Sequence, residues 1–210
     1  MSEMSNDKAL STLNRIYDIA LNGLPRSKSV YDLANEYQDK YEDKLKAAQK
    51  LRDFQIMKCG TSGFLTGLGG LITLPVALPA NITSVLYVQI RMVAAIANIG
   101  GYDVHSDEVQ SIVYLCLTGN SIKDVAKTAG ITFSSKFTIA MIKKIPGTAL
   151  TKINQKVGFR FITKFGQKGI INLGKSVPIV GGVIGAGFDI TSTTVIANNA
   201  INVFIKGTIE

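Results

Sequence analysis

Between Cys59 and Ile90 the chain carries no charged residue, and after Arg91 the uncharged text continues to Gly101. Such a stretch belongs in hydrocarbon or in the middle of a helical core, because an unpaired charge is costly in both. The text CGTSGFLTGLGGLITLPVALPANITSVLYVQIRMVAAIANIGG predicts two apolar helices split by Pro75 and Pro79, since proline lacks an N–H and stops a helix. The first arm, 61–74, would be ~21 Å long and does not reach across a ~30 Å hydrocarbon core. The second arm, 80–99, is about twenty residues and passes the length test, provided that Arg91 is paired or faces water. A second apolar run, SVPIVGGVIGAGFDITSTTVIANNAINVFI, has Asp189 as its only charge. GxxxG pairs at Gly63/Gly67 and Gly181/Gly185 favour membrane insertion, because helices in lipid associate through close approach at small residues. A buried helix pair in a soluble bundle is the alternative.

The net charge of +8 is unevenly placed. Residues 121–176 hold eleven basic residues against Asp124 alone, whereas the rest of the chain is near balance. Within that segment Lys152, Lys156, Arg160, Lys164 and Lys168 repeat at every fourth position, with Lys143 and Lys144 before them. Steps of four drift by ~40° on a helix, so the positive stripe winds slowly, and Ile153, Val157, Phe161 and Phe165 run beside it. A basic amphipathic helix of this kind suits an anionic membrane surface or a nucleic-acid backbone, with aromatics available for stacking. A solvated basic face over an ordinary core is the plain alternative.

Residues 5–58 read as two solvated helices, the second running from Asp32 to Lys58. There Glu36/Lys40 and Glu42/Lys46 are spaced to support a helix by ~0.2–0.5 kcal/mol per pair. The start of the chain is polar, with Glu3 and Asp7, unlike a cleaved signal peptide, so synthesis without export is expected. Catalysis is not expected: His105 is the single histidine, in a polar loop, and no P-loop, dinucleotide fingerprint, HExxH or GxSxG occurs. Cys59 and Cys116 stand far apart without a metal-type cluster, so neither a metal nor a cofactor is expected.

Both apolar runs carry polar stripes at helical spacing. Asn81, Ser84, Arg91 and Asn98 lie on one face of the first, and Thr191, Thr194, Asn198 and Asn202 on one face of the second. They read equally as the wall of an aqueous pathway in an oligomer or as hydrogen bonds between helices of one subunit. Arg91 and Asp189, opposite lone charges, are candidates to pair or to sit near a gate.

The stretch from Gly63 through Gly67, Leu68, Gly69, Gly70, Leu71, Thr73, Leu74 and Pro75, then Pro79, Arg91, Ile96, Ala97 and Gly101–Tyr102–Asp103, resembles the EcsC family. The closing VPIVGGVIGAGFD is similar to that family's glycine-rich motif, although Ala77 and Asn81 stand where an acid is often found. The resemblance implies a helical, membrane-associated protein. Some members accompany a secretion-linked transporter, and others are phage-defence effectors of the Hailong type, in which a channel is held closed by an oligonucleotide made by a partner nucleotidyltransferase. The expectation is therefore an all-α, membrane-associated protein in four parts: soluble helices 1–58, an apolar hairpin 59–101, a basic cytoplasmic region 102–176, and a glycine-rich apolar helix 177–206. It would work as a homo-oligomer, taken as a tetramer, in a bacterial inner membrane, with the basic region on the cytoplasmic side. Lipid and a single-stranded oligonucleotide would be its partners. A peripheral or secretion accessory protein that binds anionic lipid and forms no pore is the competing expectation.

Overall fold

The computed structural model describes residues 5–24, 27–59, 80–131, 138–165 and 183–209, and these are built of helices, turns and short connections. The helices are α1 (Asn6–Asn22), α2 (Val30–Lys40), α3 (Lys44–Cys59), α4 (Ala80–Gly100), α5 (Asp107–Cys116), α6 (Ile122–Thr128), α7 (Ile139–Ile142), α8 (Gly147–Phe165) and α9 (Val183–Ile201). A 3-10 turn, Gly119–Ser121, precedes α6, and a π turn, Asn202–Lys206, extends α9.

Local chemistry sets the helix starts. Ser5, Ser106 and Thr138 each accept from a backbone N–H in the first turn of the helix that follows, satisfying one of its orphan donors. Ser29 and Asp32 form a full capping box at α2, which fixes its start within the polar text between α1 and α2. The expected single helix from Asp32 to Lys58 is broken: Tyr41 is extended (φ −139°), and the Asp43 carboxylate takes the Lys46 N–H at 2.6 Å to begin α3. Glu36 and Lys40 do pair along α2 (2.7 Å), but Glu42 falls in the break and is no helical partner for Lys46, whose ammonium lies over the Tyr41 ring.

The core is one continuous apolar cluster that draws on all nine described helices and the π turn. At its centre is α4, packed against α1, α2, α3, α5 and α9. Tyr87, Ile90, Met92, Ile96 and Ile99 of α4 are all but inaccessible, each worth ~1.5–3 kcal/mol of transfer free energy in such a setting. By length and composition Thr83–Gly100 is the one described helix able to cross a membrane, yet 78% of it is buried among the protein's own helices. The second arm of the predicted hairpin thus appears as a core helix. The first arm, with Gly63 and Gly67, and the glycine-rich Gly181, lie outside the described residues; Gly185 falls in the first turn of α9.

Helix α8 lies on α1 and α5, burying Ala149, Ile153 and Val157. It comes close to α1 at Gly158, where an added Cβ would run into Asn6 and come within 3.2 Å of Leu10.

Candidate functional site

Because one side of α8 is committed to the core, most of its described polar residues are turned outward together. Thr151, Lys152, Gln155, Lys156, Phe159 and Arg160 are exposed, with Phe159 at 60%. Lys152, Lys156 and Arg160 follow one another at ~6 Å of helical rise. Lys143 and Lys144, in the turn after α7, are exposed as well. No acid lies on α8, and the ion pairs Lys28–Glu36, Lys40–Glu36 and Arg52–Asp53 belong to α2, α3 and the turn before α2. The side chains of Lys164 and Lys168, and of Phe161 and Phe165, lie outside the described residues. Phe159 went unnoticed in the sequence because it is out of step with the apolar i,i+4 series; its place between Lys156 and Arg160 was the available signal.

The predicted polar stripes are placed differently from one another. On α4, Ser84 is buried and Asn98 half-buried, while the side chain of Asn81 lies outside the described residues. The Arg91 guanidinium donates to the Lys28 carbonyl at 2.6 Å, tying α4 to the start of α2, and its Nε is enclosed without a partner. The pairing of Arg91 with Asp189 involves an Asp189 side chain outside the described residues. On α9, Thr191 is exposed, Thr194 donates to the Ile190 carbonyl of its own helix (2.8 Å), and Asn198 accepts from Arg52 of α3 (3.0 Å). Asn202 opens the π turn, half-buried.

The buried polar contacts between helices come from neighbouring positions that pattern reading passed over. The Gln89 amide of α4 donates to the Thr193 hydroxyl of α9 at 3.0 Å, fully enclosed. Asn199 donates to the Gly119 carbonyl at 2.9 Å, which ties α9 to the turn after α5. Gln55 of α3 is only 2% exposed and its amide nitrogen has no partner. The clue in the sequence was an amide in otherwise apolar text, as at Gln89, but no single-chain periodicity reveals which helix faces it.

His105 is exposed in the loop between α4 and α5. Its backbone N–H donates to Asp103 (3.0 Å) and its ring stacks on Tyr31 at 5.9 Å. Among the described residues no group of three or more histidine, cysteine or acidic side chains is placed to hold a metal. The site can therefore offer anion binding on α8 and buried neutral polar groups among α3, α4 and α9.

The family model for the EcsC protein family matches residues 5–206, nearly the whole chain, and the chain belongs to that family. No curated protein and no solved structure matches it.

Proposed function

We propose that this EcsC-family chain is a non-catalytic, oligomeric membrane effector that conducts ions when open and is held closed by an anionic oligonucleotide. The observation that carries this reading is the α8 face: Lys152, Lys156 and Arg160 stand outward around a largely exposed Phe159, on a helix without an acid. That combination offers phosphate neutralisation and a stacking surface together. A ligand bridging subunits there biases the closed state by its differential affinity. The bilayer-facing role falls to the uncharged glycine-rich runs 60–79 and 177–188, and the excess of lysine and arginine in 121–176 favours the cytoplasmic side of a bacterial inner membrane. Opening would depolarise the cell and arrest growth. The resemblance to Hailong-type effectors supplies the expected source of the ligand, a partner nucleotidyltransferase.

A second reading is favoured by the burial of α4: a peripheral protein that binds anionic lipid through the same face and forms no pore. One experiment separates the two. The purified oligomer is titrated with short single-stranded DNA across a salt series, and ion flux is followed from liposomes carrying it. The first reading expects salt-sensitive DNA binding that suppresses flux, and a Lys152→Gln/Lys156→Gln variant whose log–log salt slope is shallower by ~1.4. Binding to anionic liposomes alone, with neither DNA binding nor flux, sinks it in favour of the second.

A further inference from the structure

Helices α3, α4 and α9 pack on one another as a mutual triangle, and the contacts between them fix their directions. Gln89 meets Thr193, and further along both helices Gly100 meets Phe204, so α4 and α9 run parallel. Helix α3 runs the other way: Lys44 at its start donates to the Gly100 carbonyl at the end of α4 (3.4 Å), and Arg52 reaches Asn198. Gln55, about one turn beyond Arg52, therefore lies near the level of Gln89 and Thr193. At this end the triangle is polar. Gln55, Gln89 and Thr193 are each at most 5% exposed, and Thr83 and Ser84, further down α4, are buried too. At the opposite end the same helices bury Ala48, Leu51, Ile96, Ile99 and Ala200.

The polar end is held at a cost. The Gln55 amide nitrogen is enclosed without an acceptor, and such a group weakens a core that an apolar side chain of the same shape would strengthen. Entering water supplies the missing acceptor at that end and has nothing to gain at the other. The end of α3 and the start of α4, which flank this polar level, also bracket the uncharged segment 60–79.

We infer that the polar end of the α3–α4–α9 seam is a metastable joint that opens to water, and that its amides and hydroxyls line the path for water and hydrated monovalent ions. The joint follows from the packing alone; the ion path rests on the channel reading above.

The test uses the full chain. Hydrogen–deuterium exchange is followed along α4 and α9, with ion flux from liposomes in parallel, for the wild type, Gln55→Met and, as a second shape, Gln55→Leu. The wild type should exchange at least about tenfold faster around Gln89 and Thr193 than around Ile96 and Ala200. Gln55→Met should raise the Tm, slow the fast region towards the slow one, and cut flux several-fold. Uniform exchange along α4, or a lowered Tm in both variants, overturns the joint. Unchanged flux in a variant whose exchange has slowed overturns the path and leaves the channel reading standing. A wild type that exchanges as expected but passes no ions supports the joint and refutes the channel reading.

Discussion

Tyr17 shows how much a single residue settles. Its hydroxyl donates to the Val104 carbonyl at 2.7 Å in a fully buried setting, and its ring meets Tyr114 edge-on at 5.7 Å. Burial pushes the Tyr17 phenol well above its ordinary range, so it stays a neutral donor. Tyr17→Phe keeps the ring but orphans a buried carbonyl, and should cost about 1–3 kcal/mol in denaturant unfolding. Glu36 makes a gentler case. Lys40, and then Lys28, hold its carboxyl down at about 2 from a usual 4.5. Because the folded-state value is depressed, its stabilisation is complete above about pH 4.5 and fades as pH falls towards 2. The group is close to the surface, so Glu36→Gln should cost no more than ~1 kcal/mol at pH 7 and should flatten stability between those two pH values. The Glu36/Lys40 pair was legible from spacing; the Tyr17–Val104 bond joins residues that no local pattern connects.

At the scale of elements, α1, the helix after Pro79 that became α4 and the basic amphipathic helix that became α8 were legible in the sequence, and capping residues account for the starts of α1, α2 and α5. The break at Tyr41–Asp43 was missed because the apolar pattern resumes across it, while Asp43 competes for the backbone N–H of Lys46. Where α4 ends, Gly100 comes close to the Phe204 carbonyl of the π turn, and the Tyr102 and Phe204 rings meet at 5.1 Å. A methyl at Gly100 meets backbone that cannot swing aside. Gly100→Ala should therefore destabilise by roughly 1–3 kcal/mol despite alanine's better helix propensity, as a lowered denaturant midpoint would record.

For the molecule as a whole, the single core has a direct consequence. Helices from the N-terminal part, the apolar run, the basic region and the last run bury side chains against one another, so none of them has a hydrophobic core of its own. Unfolding of the purified chain should appear as one transition, with far-UV and near-UV circular dichroism coinciding; two separated transitions would show that the basic region melts alone. The same packing bears on regulation, since a ligand on the outer face of α8 acts on a helix whose inner face touches α1 and α5, which in turn pack on α4.

The amino-acid sequence by itself determined the helical class, the confinement of positive charge to 121–176 and the outward placement of Lys152, Lys156 and Arg160, because charge and helical period are properties of the chain read locally. It did not decide what surrounds α4. An apolar helix of 21 residues with Arg91 as its single charge satisfies lipid and a protein interior equally, and only the tertiary structure shows α1, α2, α3, α5 and α9 covering it. The polar stripes divided in the same way. Their residue types were plain in the text, but whether an amide meets a hydroxyl, a carbonyl or nothing depends on helix directions and levels, and these are set when the core closes.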